Sequence, residues 1–218
     1  MSALKTFRVG IICGSQRSPR VCDQITDFVS QVIKTQTTSD PPSSSFTFDH
    51  IDIAALNLPF FDEPNIPAKI TERPAGYAHE HTRTWSARVE CLDAFVFVTP
   101  QYNWGIPAGL KNAIDYLYHE WVGKPAVVVT YGGHGGTKCA EQMRMVLGGG
   151  LKMQVGERMV VNLTFPSREV VEKAFRGEDI GVREKDTQVW KTEQKLIVDA
   201  WTQMVGLLTS DGQGNVAP

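Results

Sequence analysis

Cysteine is scarce in this 218-residue chain. Its four thiols, Cys13, Cys22, Cys91 and Cys139, form no C-x-x-C pair, which excludes a zinc ribbon and a thioredoxin-type motif. Scattered through a chain long enough for a full core, they read as reduced thiols of a cytoplasmic protein. An excess of one charge is also lacking: 22 basic residues face 24 acidic ones, a net charge of −2. Neither nucleic acid nor an anionic membrane is an expected partner. Long hydrophobic runs are missing too. The longest uncharged stretch, Ala94 to Leu110, is broken by Pro100 and Pro107 and carries Gln101 and Asn103, so no membrane span is expected. No small-residue cleavage site follows the N-terminal apolar run, which argues against a secretion signal. His79-Glu80-His81 is not H-E-x-x-H, and two histidines two apart belong on different sides of a helix, so no metal site is expected.

What is present is a series of short apolar runs. Phe7–Cys13, Ala94–Thr99 and Ala126–Tyr131 lack polar alternation, the pattern of strands buried on both faces of a parallel sheet. Phe46–Ile53 alternates, and Arg158–Leu163 supplies a fifth strand. Helical spacing falls between them: Val21–Lys34, the face Tyr77, His81, Trp85, Val89 and Leu92, a helix from Pro107 to Trp121, one from Thr137 to Leu147, and a last one from Thr187 to Leu208. Arg168, Lys173, Arg176, Arg183 and Lys185, mixed with acids, read as a solvated surface. No repeat or composition shift divides residues 1–218. A single α/β domain follows, with a doubly wound five-stranded parallel sheet and helices on both faces. Residues 37–45 read as a loop insertion and 210–218 as a frayed tail.

In such sheets ligands bind beyond the carboxyl ends of the strands. Gly14-Ser15-Gln16-Arg17-Ser18-Pro19-Arg20 leaves a strand and enters a helix, so free N–H groups, two hydroxyls and two arginines suit a phosphate. A capped turn with two solvated arginines is the plainer reading. The loop fits neither a Walker pattern nor G-x-G-x-x-G. Counting five residues from Cys13 puts Pro19 where a tyrosine-phosphatase loop needs arginine, with Arg20 one place late, so Cys13 reads as strand core. Pro100-Gln101-Tyr102-Asn103-Trp104 offers backbone and ring surface to a heteroaromatic edge, or simply packs on the next helix. Gly132-Gly133-His134-Gly135-Gly136 lets backbone approach a ligand closely, and its rival reading is a mobile hinge. His134 reads as a spacer there, with a catalytic acid or base as the alternative.

Gly14-Ser15-x-Arg17-x-x-Arg20, the element TPQYNWGIPAGLKNAIDYLYHEW from Thr99 to Trp121, and GGHGG together resemble the NADPH-dependent FMN reductase family over roughly Thr6 to Leu163. The resemblance implies a flavodoxin-like fold and an FMN-dependent NAD(P)H oxidoreductase passing electrons to a quinone or similar small acceptor, without a protein nucleophile. It implies that Ser15, Arg17, Ser18 and Arg20, with backbone from Val21 and Cys22, surround the FMN phosphate. It implies that Pro100, Gln101, Tyr102, Asn103 and Trp104, together with Gly132, Gly133, His134 and Gly135, contact the ring. Gln101 stands where many members of the family have Glu. A homodimer or homotetramer is implied, and Ile114, Leu117, Tyr118, Trp121, Met143 and Met145 are the expected interface, with burial in the core of their own domain as the alternative. An FMN-binding electron carrier or sensor without turnover, and an atypical phosphatase, are the alternatives.

Overall fold

The apolar runs pair side by side. The computed structural model describes residues 5–37, 44–184 and 187–210. Strands β1 (Lys5–Cys13), β2 (Ser44–Asp52), β3 (Ala94–Pro100), β4 (Ala126–Gly132) and β5 (Val160–Thr164) are all parallel, in the order β2-β1-β3-β4-β5. Successive strand side chains point to opposite faces. Thus Ala94, Val96 and Val98 enter one core with α1 (Cys22–Thr37) and α7 (Gln194–Ser210). Phe95 and Phe97 enter a second core, with α3 (Glu80–Glu90), α4 (Ala108–Asp115) and α5 (Thr137–Arg144). Both faces of β3 are buried throughout, which is why its sequence shows no alternation. A four-residue helix, α2 (Ile53–Leu56), follows β2.

Several elements differ from expectation. Thr37 ends α1, and Ser44 and Ser45 open β2, so the ends of the expected loop belong to regular structure. The rest of that loop, residues 38–43, and the tail 211–218 lie outside the described residues. Tyr77 precedes α3 instead of starting it. The histidines expected on opposite sides of a helix stack at 5.2 Å and 8°, because His79 is the extended N-cap residue and only His81 is helical. The helix expected from Pro107 to Trp121 stops at Asp115. The chain then turns so that consecutive residues go inward: Glu120 accepts from the Tyr77 hydroxyl at 2.9 Å and the Ser86 hydroxyl at 2.5 Å, while Trp121 is fully buried.

The expected interface changes as well. Ile114, Leu117, Trp121 and Met143 are at most 1% exposed, used up by the core of their own chain. Trp190, expected on the last helix, precedes α7 with a left-handed φ of 56°, and its indole N–H donates to the Thr164 carbonyl at 2.6 Å. Finally, Arg168, Lys173 and Arg176 sit on an unexpected helix, α6 (Arg168–Arg176), capped by the Ser167 hydroxyl accepting from the Val170 N–H at 3.2 Å. Arg183 is held by Asp23 and Asp27 at 3.1 and 2.6 Å, and Lys185 is outside the described residues.

Candidate functional site

The turns after β1, β3 and β4 converge at the carboxyl edge of the sheet. Gly14 starts the first turn by donating its N–H to the Val98 carbonyl at 2.8 Å. A Cβ at Gly14 would lie 2.8 Å from Leu110 and 2.9 Å from Thr99, so this close approach of β1 to β3 and α4 requires glycine. Between the turns lies a cleft of about 330 Å³, within the ~300–1,000 Å³ usual for small-molecule sites.

Ser15, Arg17, Arg20, Val21, Pro100, Gln101, Tyr102, Gly132, Gly133 and His134 line this cleft, as the sequence suggested. Ser18, Cys22, Asn103, Trp104 and Gly135 do not. Cys22 is buried at the start of α1, where its thiol donates to the Val98 carbonyl at 3.5 Å. Asn103 and Trp104 form the exposed tip of a tight hairpin closed by hydrogen bonds between Tyr102 and Gly105 at 3.1 and 2.9 Å. Both tip residues are left-handed, with φ of 47° and 66°. For a tryptophan this conformation costs of order 1–3 kcal/mol. Pro19, Tyr131, Phe165, Val171, Ala174 and Phe175 also line the cleft and were not anticipated. The last three belong to α6, whose amphipathic spacing between the cap signals Ser167 and Gly177 was the available clue.

The polar groups divide by role. The Ser15 and Tyr102 hydroxyls are 2.6 Å apart, the Arg17 N–H donates to Ser15 Oγ at 3.3 Å, and the Arg17 guanidinium lies 4.0 Å over the Tyr102 ring. Arg20 is committed elsewhere: it donates to the Ser15 carbonyl and to both Asp52 oxygens, one at 3.0 Å. Asp52 also caps α2, accepting from the Ala54 N–H at 3.0 Å. Arg20 therefore shapes the first turn and ties it to the end of β2, and Arg17 is the cation at the cleft mouth. Gln101 uses its side-chain oxygen to accept from the N–H groups of Lys138 and Cys139 at 3.0 and 3.1 Å, closing the open end of α5. Cys139 is no nucleophile, because burial pushes its thiol up to about 12.

Burial acts to raise the Asp52 carboxyl, but the hydrogen bonds from Arg20 and the α2 backbone outweigh it and hold the group below its ordinary value. A depressed carboxylate stabilises the fold above its unfolded pKa of about 3.9 and loses that contribution as pH falls through the folded value. Asp52→Asn is therefore expected to lower stability by about 1 kcal/mol at pH 6, since the pair is partly exposed. The difference from wild type should begin to shrink below pH 4 and close as pH falls through the folded value. Thermal melts at pH 6 and pH 3 check this, and an equal gap at both values would contradict the ion-pair account.

The chemistry of the cleft fits FMN. One end offers a hydroxyl, a cation and the N-terminus of α1, the set that holds a phosphate. The other end offers bare backbone: a Cβ at Gly132 or Gly133 would meet no protein atom within 4 Å. A parallel sheet in the order 2-1-3-4-5 with this pair of turns defines the flavodoxin-like, mononucleotide-binding class.

The sequence profile of NADPH-dependent FMN reductases matches residues 7–165, and the chain belongs to that family. It is a NAD(P)H-dependent flavin oxidoreductase. It is 49% identical over 151 residues to the NAD(P)H-dependent FMN reductase LOT6 of Saccharomyces cerevisiae, covering 68% of this chain and 77% of that protein. It is 36% identical over 183 residues to the NAD(P)H-dependent FMN reductase ntnL of Nectria sp, covering 84% and 87%. Among solved structures, the flavoenzyme NAD(P)H:(acceptor) oxidoreductase FerB of Paracoccus denitrificans superposes with a TM-score of 0.63 at 20% identity, over 93% of this chain and 98% of that one. That likeness shows the shared fold. Among the described residues, no helix is long and apolar enough to cross a membrane.

Proposed function

We propose that the protein passes a hydride from NAD(P)H to FMN held in this cleft and then electrons to a quinone or similar small acceptor. The observation that carries this reading is the convergence of Ser15, Arg17 and Tyr102 with the bare backbone of Gly132 and Gly133 on one cleft. Bound FMN supplies the two-electron chemistry. The chain supplies binding and orientation. Arg17 and Ser15 take the phosphate, with Tyr102 holding the serine hydroxyl in place. Pro100, Gln101 and Tyr102 on one side, with Gly132, Gly133 and His134 on the other, take the ring. Arg20 acts as a positioning residue. A phosphatase reading loses its cysteine nucleophile, because Cys13 is 5% exposed in the core and does not line the cleft. An electron carrier without turnover finds no support in relatives named as reductases.

Arg17→Ala is expected to weaken FMN binding about 10- to 100-fold, the loss of a charged hydrogen bond worth ~1.5–3 kcal/mol. Fluorescence titration of the apo-protein measures it, and an unchanged dissociation constant would remove Arg17 from the phosphate site. The protein assembles in this reading as a homodimer through the side of the ring loop. Trp104 and Met145 are 68% and 66% exposed there, joined by Gln142, whose amide donates to the Trp104 carbonyl at 3.3 Å. A reducing cytoplasmic setting suits the free thiols of Cys13, Cys22, Cys91 and Cys139.

A further inference from the structure

The family match ends at residue 165, and beyond it the chain forms a strap across the cleft. The near end is anchored by aromatics. Phe165 stacks on Trp190 at 5.7 Å and 23°, and meets Tyr131 edge-on at 6.0 Å. The far end is seated on the first turn, where a Cβ at Gly177, the residue that caps α6, would lie 2.6 Å from Pro19. Just beyond, the Gln24 side chain of α1 donates to the Glu178 carbonyl at 2.9 Å and accepts from the Ile180 N–H at 3.1 Å.

Between these anchors no residue of α6 is fully buried. Val170 and Ala174 lean on the core, and Val171, Ala174 and Phe175 line the cleft, with Phe175 66% exposed at its rim. No charged residue of α6 lines the cleft. The helix cations are matched by acids: Lys173 with Glu169 at 2.9 Å, Arg176 with Glu178 at 2.6 Å, and Arg168 with Glu172 at 3.9 Å. One side of the cleft therefore carries the hydroxyls and the cation of Arg17, and the α6 side is apolar. Val171 and Phe175 stand one helical turn apart, which suits the edge of a flat ring system.

We infer that α6 is the acceptor-selecting wall of the site: Val171 and Phe175 hold the apolar edge of a planar, uncharged, fused-ring quinone. The inference rests on the proposed quinone reductase activity. It adds that preference among acceptors is set outside the family segment, by apolar contact. A neutral fused-ring acceptor gains from that contact, and a small anionic oxidant gains nothing from a wall without a free cation.

Phe175→Ala tests the wall, and its exposure makes a folding defect unexpected. In the holo-protein, KM for 2-methyl-1,4-naphthoquinone should rise about tenfold with little change in kcat, the scale of one lost apolar contact. Ferricyanide reduction should stay at the wild-type rate. Phe175→Leu should restore most of the loss. A spectral titration of oxidised holo-protein with the naphthoquinone, without NADPH, reads binding without turnover and should show the same tenfold change. FMN titration of the apo-protein should be unchanged. Weaker FMN binding, or equal losses with naphthoquinone and ferricyanide, would assign α6 to the flavin and overturn the inference. Unaltered naphthoquinone binding would overturn it too. A wild-type protein that binds FMN yet oxidises no NADPH with either acceptor would instead refute the proposed activity, and the spectral titration would still decide the wall.

Discussion

Gly133→Val is expected to reduce FMN affinity at least about 100-fold while leaving thermal stability almost untouched. Gly133 lines the cleft just past the end of β4, and a Cβ there meets no protein atom within 4 Å. The protein thus has room for a side chain at this position, and its backbone is outside the left-handed region that only glycine adopts readily. Replacing glycine where the backbone tolerates it even lowers the entropy of the unfolded chain. What cannot share the space is a planar ring drawn against bare backbone. FMN titration and a thermal melt on the same variant separate the two effects. Retention of wild-type affinity would mean that the turn after β4 does not approach the ring.

Trp121→Ala should cost about 3–5 kcal/mol in denaturant unfolding, out of the ~5–15 kcal/mol that holds a typical domain together. The side chain is fully buried, and its indole N–H donates to the Ile114 carbonyl at 3.2 Å. It packs edge-on against Phe95 at 4.9 Å and Trp85 at 6.0 Å. Alanine would leave a cavity under β3 and α3, and the Ile114 carbonyl would keep only its bond from the Leu117 N–H at 3.3 Å. An interface role for the same residue predicts the opposite: a folded variant of unchanged stability that sediments as a smaller particle.

The buried sheet was legible because residues such as Val96 and Phe97 have no polar neighbour to confuse the pattern. The two turns richest in glycine and arginine were legible because their backbone and charge demands are local. Two kinds of feature were not. The role of Arg20 depends on Asp52, which lies 32 positions away and reaches it only through the β1–β2 pairing. Arg17 and Arg20 look equivalent in sequence, and only tertiary distance separates them. The helix α6 was hidden for a different reason. Its charges outnumber its apolar residues, so the segment read as a solvated surface, and its amphipathic spacing between Ser167 and Gly177 went unused. Trp190 was misplaced because a 3.6-residue spacing carries no information about a left-handed residue that breaks the helix.

The strap also bears on how this protein could be altered. Its outer charges pair mainly along its own surface, and its anchors, Phe165 with Trp190 and the turn at Gly177, lie on either side of the segment that carries Val171 and Phe175. Val171 and Phe175 can therefore vary without disturbing the sheet or the turns proposed to receive the flavin. Tolerance to heat and choice of oxidant become independent variables, assigned to separate stretches of one chain. A library confined to those two positions would explore new acceptors from a scaffold whose folding is already secured.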